Sequence, residues 1–87
     1  MRNNFLSEKD TRSVNEILIR VLGIAEQEIV AEAPIMEDLG ADSLHRTEIA
    51  MEVEDQFHLS MPEEEWEKVR TVGDLYQMLS KYLATRR

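Results

Sequence analysis

The chain has 87 residues, of which 43% are apolar, so it can form one small core and one domain. It contains no cysteine and only two histidines, which excludes disulfides and a cysteine nucleophile and argues against a cysteine- or histidine-rich metal site. The formal net charge of −8 argues against nucleic-acid binding, because contact with phosphates needs a basic face.

The negative charge is concentrated in the middle of the chain. Residues 26–67 carry fourteen acidic side chains and one basic side chain, Arg46. Such a region attracts basic partners and repels polyanions. No apolar run approaches the roughly 18 residues of a membrane span, and the first residues lack the apolar stretch of a secretory signal. We expect a cytoplasmic, monomeric domain over 1–87, with no membrane contact and with frayed ends at 1–6 and 84–87.

The first predicted helix carries apolar residues at helical spacing. Ser7 and Ser13 are both candidate N-caps, the second with Glu16 three residues later as a capping box. Gly23 suits the C-terminal end, where a left-handed backbone is easiest for glycine. The face predicted to be buried comprises Val14, Ile17, Leu18, Val21 and Leu22.

A long loop is predicted from about Ile24 to Asp42, where Pro34 and Gly40 interrupt the helical pattern. Loops of this length are unusual in a small domain, and they tend to be functional or to pack internally. Scattered aliphatic residues indicate that this loop packs on the helices: Ile29, Ile35, Met36 and Leu39.

The second helix is predicted from Ser43 to Phe57, with Asp42 as its N-cap. Ile49, Val53 and Phe57 recur every four residues and should be buried. Leu44, Thr47 and Met51 lie on a different face, among the acidic residues of the same helix.

A short helix is predicted from Pro62 to about Val69, because proline suits a first helical position. Thr71 and Asp74 have the spacing of a capping box for a last helix. The inner face of that helix is predicted to comprise Val72, Leu75, Leu79, Tyr82 and Leu83. The predicted fold is all-α, a small antiparallel bundle of three main helices plus a short one, with a long loop between the first and second helices.

The candidate functional residue is Ser43, at the first position of the second helix. Backbone N–H groups there lack helical partners and the helix carries partial positive charge, so a phosphate on the serine would be stabilised. On its own, the Asp42–Ser43 pair is better explained as an ordinary helix start, because capping dipeptides are abundant.

The wider string Leu39-Gly40-Ala41-Asp42-Ser43-Leu44 closely resembles the acyl carrier proteins. The likeness extends from Val14 to Leu83 and includes Met61-Pro62-Glu63-Glu64-Glu65 and Thr71-Val72-Gly73-Asp74-Leu75. It implies that a phosphopantetheinyl transferase moves 4′-phosphopantetheine from coenzyme A onto Ser43, and that the terminal thiol then carries acyl groups as thioesters. By the same likeness, Asp42 helps to hold the metal ion of the transferase complex, and the chain is a carrier and not an enzyme.

The resemblance also implies two surfaces beyond the attachment point. The second helix would dock on basic patches of acyl-processing enzymes in fatty-acid, polyketide or related specialised pathways. The docking residues would be Leu44, Glu48, Met51, Glu52, Glu54 and Asp55. An acyl pocket between the helices would be lined by Ile35, Ile49, Val53, Trp66 and Val69.

The sequence departs from many fatty-acid carriers at His45-Arg46, where an acid and a neutral residue are common, and at Trp66, where a small residue is common. Two alternatives stay open. A peptidyl or aminoacyl carrier usually shows Gly-Gly-His/Asp-Ser, whereas this chain has Gly-Ala-Asp-Ser at positions 40–43. An unmodified acidic interaction module would share the composition but would not be loaded.

Overall fold

The computed structural model describes residues 6–35 and 43–85 of the chain. These residues form four α-helices and one short 3₁₀ turn, Glu26–Glu28. The helices are α1, Glu8–Leu22; α2, Ser43–Phe57; α3, Glu63–Glu67; and α4, Val72–Thr85. Within the described ranges, β pairing is limited to one isolated antiparallel bridge between Pro34 and Thr71. The prediction of an all-α fold with a long loop between its first two helices is confirmed.

Helix α1 begins after Ser7, which is the first of the two candidate caps. The Ser7 hydroxyl oxygen accepts a hydrogen bond from the Asp10 N–H (3.1 Å), whereas Ser13 lies inside the helix. At the other end Gly23 adopts φ 67°, and its N–H donates to the Ile19 carbonyl (2.8 Å). The predicted glycine stop is confirmed, because this conformation disfavours residues with a Cβ.

Helix α2 has the predicted bounds, and its C-terminus is closed in a way that the sequence pattern did not indicate. His58 follows the helix with φ 56°, a left-handed conformation that is uncommon for residues other than glycine. The Leu59 N–H donates to the Glu54 carbonyl (3.0 Å), and the Met61 N–H donates to the Glu54 carboxylate Oε2 (3.0 Å). Glu54 thus fixes the turn that leads from α2 towards α3.

Helix α3 is shorter than the sequence predicts. Pro62 is its N-cap and not its first helical residue, and the helix ends at Glu67 and not at Val69. The N–H groups of Lys68 and Val69 each donate to a carbonyl three residues back, so the last turn tightens and leaves the α-helical pattern.

Helix α4 begins with the predicted capping box, which is confirmed. The Asp74 N–H donates to the Thr71 hydroxyl (3.1 Å), and the Asp74 carboxylate accepts from the Thr71 N–H (3.2 Å). The helix continues through Thr85 and so includes Ala84 and Thr85 of the segment expected to fray. Leu6, at the other end, is partly buried against the core.

The end of the long loop is bound to the start of α4 by backbone hydrogen bonds. They run from Ile35 N–H to the Arg70 carbonyl (2.9 Å), from Val72 N–H to the Ala33 carbonyl (3.1 Å) and from Gly73 N–H to the Ala31 carbonyl (2.8 Å). Two donors of the first turn of α4, which have no partner within the helix, are satisfied in this way. A Cβ at Gly73 would lie 3.1 Å from the Ala31 oxygen, so the close approach of loop and helix favours glycine there.

The core is formed by the inner faces of the helices and by the loop. Among the described residues every buried side chain is apolar, and the predicted inner faces of α1, α2 and α4 all contribute to the core.

Tyr76 donates a hydrogen bond to the Asn15 side chain and so joins α4 to α1. Burial raises the pKa of the Tyr76 phenol, because it disfavours the charged form, and the bond to Asn15 opposes that shift.

The loop residue Ile35 is buried as expected, while Met36 and Leu39 lie outside the described residues. The largest fully buried side chains are Val14, Leu18, Val53, Val72, Leu75 and Leu79.

Candidate functional site

The candidate attachment residue, Ser43, is the first residue of α2. It therefore lies in the first turn, whose N–H groups lack carbonyl partners within the helix and favour a negatively charged group. Its neighbour Leu44 is 67% exposed, whereas His45 and Arg46 are partly buried. Asp42 and the side chain of Ser43 lie outside the described residues.

A cleft of about 450 Å³ lies beside this end of α2. Arg46, one turn from Ser43, lines it together with residues from the loop and from the α3–α4 junction. The lining residues are Pro34, Arg46, Glu67, Val69, Arg70, Thr71 and Asp74. The cleft is therefore mixed in character, with one buried apolar residue, Val69, among charged and polar groups.

The charged groups of the cleft differ in how they are used. The Asp74 carboxylate accepts hydrogen bonds from the N–H groups of Arg70 (3.1 Å) and Thr71 (3.2 Å), so it serves the start of α4. The side chains of Arg46 and Arg70 form no ion pair with another residue in the part of the chain that the structure describes. The cleft is therefore lined by two arginines, a residue type suited to phosphate binding, and by two acidic residues, Glu67 and Asp74.

The outer face of α2 combines apolar and acidic side chains. Leu44 and Met51 are 67% and 64% exposed, and they are two of the three large exposed hydrophobic residues among those described. Glu48 and Asp55 are also exposed. This arrangement provides an apolar contact beside groups that attract a basic partner.

Two of the acidic residues predicted to dock make contacts within the chain. Glu52 forms an ion pair with Arg20 of α1, in which both side chains stay largely accessible to solvent. Glu54 is half-buried, and its carboxylate accepts the hydrogen bond from the Met61 N–H. Sequence reasoning missed both contacts, because each joins residues whose proximity depends on the folded path of the chain.

The five residues predicted to line an acyl pocket, Ile35, Ile49, Val53, Trp66 and Val69, are all buried in the same apolar cluster. Only Val69 among them also lines the cleft beside α2. The Trp66 Nε1 atom is buried, and it has no hydrogen-bond acceptor within the described ranges. The sequence identified Trp66 as unusual for its bulk, but gave no signal that its N–H would lack a partner.

The described residues show neither a metal centre nor a membrane-spanning helix. The described residues contain no group of three or more His, Cys, Asp or Glu side chains that could hold a metal ion. None of the helices in 6–35 and 43–85 has both the length and the apolar character needed to cross a membrane.

The residues around Ser43 suit a phosphopantetheine ester. A primary hydroxyl at a helix N-terminus can carry a phosphate, because the first turn of the helix and Arg46, within that turn, favour negative charge there. The chain has no cysteine, so its own side chains supply no thiol.

Comparison with protein families agrees with this chemistry. The family model described as phosphopantetheine attachment site matches residues 12–79, which span most of the chain and include Ser43. Proteins of this family are carriers without enzymatic activity of their own, and their prosthetic group is covalently attached 4′-phosphopantetheine. Phosphopantetheinyl transferases and acyl-processing enzymes are the partners of such carriers. The chain belongs to the phosphopantetheine-binding family of carrier proteins.

Proposed function

We propose that this carrier is of the acyl type and that Ser43 is its attachment residue. The observation that carries the proposal is the place of Ser43 at the start of α2, within the residues that the family model matches. The string Gly40-Ala41-Asp42-Ser43 supports the acyl type, because peptidyl carriers usually show Gly-Gly-His/Asp-Ser there.

The role of the protein at the attachment point is electrostatic. The first-turn N–H groups of α2 and the guanidinium groups of Arg46 and Arg70 offset the charge of the phosphodiester on Ser43. When attached, 4′-phosphopantetheine supplies the thiol that the chain lacks and that holds acyl groups as thioesters. Asp42 takes part in the loading step, where it helps to hold the metal ion of the transferase complex.

The outer face of α2 is the docking surface in this proposal. Leu44 and Met51 form its apolar centre, and Glu48, Glu52 and Asp55 attract basic patches on the transferase and on acyl-processing enzymes. We assign Glu54 to the end of α2 and not to docking, because its carboxylate is half-buried and bonded to Met61. Charge at such a surface raises the rate of association with a partner and does not slow its dissociation. This suits a carrier that visits several enzymes.

The apolar cluster beneath α2 shelters the acyl chain. Val69 belongs both to this cluster and to the cleft next to the attachment point, so it connects the two. An acyl group that passes Val69 reaches Ile49 and Val53, which α2 contributes to the core. His45 and Arg46, close to Ser43, favour a specialised set of partner enzymes over those of general fatty-acid synthesis.

Loading with coenzyme A tests the attachment residue. The protein is incubated with a promiscuous phosphopantetheinyl transferase, magnesium and coenzyme A, and its intact mass is measured. We expect a gain of one phosphopantetheine. Ser43→Ala should abolish the gain, because the accepting hydroxyl is removed. Ser60→Ala is the matched control, since Ser60 is exposed and follows the other end of α2, and it should load like the wild type.

Each alternative outcome has a definite meaning. A protein that stays at its unmodified mass while a known carrier is loaded in the same mixture would be an acidic interaction module. Full loading of Ser43→Ala would place the attachment on another residue.

A further inference from the structure

The only tryptophan of the chain, Trp66, has an unusual environment. Its side chain is 6% exposed, and its Nε1 is the one buried side-chain nitrogen or oxygen without a hydrogen-bond partner among the described residues. Buried tryptophan N–H groups normally find an acceptor, because an unpaired donor loses the bonds that water gives it in the unfolded chain. Phenylalanine would supply much of the same apolar contact without this loss.

An ordered water does not account well for this donor. A buried water typically makes about three hydrogen bonds, and it needs several polar partners to do so. The buried side chains of the cluster around Trp66 are all apolar within the described ranges. An acceptor for this donor must therefore come from outside the described residues.

The position of Trp66 indicates which group could enter. It shares the apolar cluster with Ile49, Val53 and Val69, and the Val69 N–H donates to the Trp66 carbonyl (3.1 Å). Val69 in turn lines the cleft beside the first turn of α2. A chain that leaves Ser43 and passes through the cleft at Val69 thus reaches the part of the core that contains Trp66.

We propose that the Trp66 indole N–H donates a hydrogen bond to an oxygen on the acyl chain of the cargo, beyond the thioester carbonyl. A saturated chain that reaches Trp66 would leave this donor unpaired, whereas an oxo- or hydroxyacyl chain would pair it. The carrier is therefore adapted to oxygenated acyl groups. The inference rests on the proposed attachment at Ser43.

The single tryptophan makes the donor directly observable, because a ¹⁵N-labelled protein gives one indole N–H resonance. The protein is loaded with phosphopantetheine in three stable forms: with the free thiol, with an amide-linked hexanoyl group and with an amide-linked 3-oxohexanoyl group. We expect a downfield indole proton shift with 3-oxohexanoyl that hexanoyl does not produce. Indole hydrogen exchange should be about fivefold slower with 3-oxohexanoyl than with hexanoyl, a factor consistent with one neutral hydrogen bond.

Mass measurement before the spectra separates the two proposals. If the protein does not load, the proposed function fails. If it loads on Ser43 and the indole resonance is the same with hexanoyl and 3-oxohexanoyl, the function stands and the inference about Trp66 is overturned.

Trp66→Phe provides the matched variant. It keeps an aromatic ring and removes the donor, and circular dichroism checks its fold. In the wild type, 3-oxohexanoyl and hexanoyl should shift the backbone amide resonances of Val53 and Val69 differently; in Trp66→Phe this difference should be lost. If Trp66→Phe still distinguished hexanoyl from 3-oxohexanoyl, the Trp66 N–H would not be the donor. If Trp66→Phe does not fold, the wild-type indole measurement decides alone.

Discussion

Helices α1 and α2 have the same length, 15 residues, and lie against each other, yet their outer faces differ. Apart from the half-buried Ile19, the apolar residues of α1 lie on one side, which packs into the core, and none of its large apolar residues is among the exposed ones. Helix α2 buries Ile49, Val53 and Phe57 in the same way, but it also exposes Leu44 and Met51. Packing of the described residues buries the inner face of both helices and leaves the outer apolar residues of α2 exposed.

The charged residues on the outer faces of the two helices also differ. The outer surface of α1 mixes acids with Lys9, Arg12 and Arg20, whereas Arg46 is the only lysine or arginine of α2, at its N-terminal end. An apolar patch with surrounding acids is therefore a property of α2 and not of every helix in this acidic chain. The comparison predicts that substitutions on the two faces of α2 have different consequences, and that matched substitutions on α1 do not reproduce them.

The largest expected effect is on the inner face of α2. Ile49→Ala should lower the free energy of unfolding by about 2–5 kcal/mol, because it removes buried methyl groups and leaves a cavity. Leu44→Ala, on the outer face, should change it by less than about 0.5 kcal/mol. Urea denaturation followed by circular dichroism measures both. Equal losses would show that Leu44 contributes to the fold, and the contrast between the faces would be lost.

A smaller effect is expected on docking. Glu48→Lys with Glu52→Lys should lower kcat/KM for loading by the phosphopantetheinyl transferase about tenfold at low salt, and less at high salt, because charge steers association. The matched control is Glu8→Lys with Glu16→Lys, which changes the net charge equally on the exposed side of α1. An equal loss in both double variants would mean that only total charge matters, and that α2 is not a distinct docking surface.

The smallest effect concerns the contact between the two helices. Arg20→Ala removes the ion pair with Glu52. The side chains of Arg20 and Glu52 are 60% and 44% exposed, so screening by water limits the loss in free energy of unfolding to about 0–1 kcal/mol. The loading rate should not fall, because Glu52 remains acidic and becomes available to the transferase. If Arg20→Ala lowered the loading rate as far as Glu48→Lys with Glu52→Lys does, the ion pair with Arg20 would be needed to position Glu52. The charge of Glu52 alone would then not explain docking.

Local signals in the sequence predict the parts of the fold that depend on local chemistry. The stop at Gly23 and the Thr71–Asp74 capping box each involve residues within four positions, and both are confirmed. The start of α1 was ambiguous because Ser7 and Ser13 both precede helical patterns, and only the folded structure selects Ser7. The bounds of α3 were wrong because five residues carry too little periodicity to define an end.

The contacts that shape the candidate site are mostly long-range, and they could not be predicted. The pairing of Arg20 with Glu52 joins positions 32 residues apart. The bond between Glu54 and Met61 depends on the left-handed His58, which no proline or glycine announces. The unpaired indole N–H of Trp66 depends on what surrounds the ring. The motif at Ser43 could be found from the sequence, because it is a run of neighbouring residues at one helix start.

Fragmentation mass spectrometry of the loaded protein locates the modification and so tests the attachment residue directly. We expect one phosphopantetheine on the peptide that contains Ser43, with fragment ions that assign it to that residue. Modification confined to Ser60, Ser80 or another side chain would contradict it.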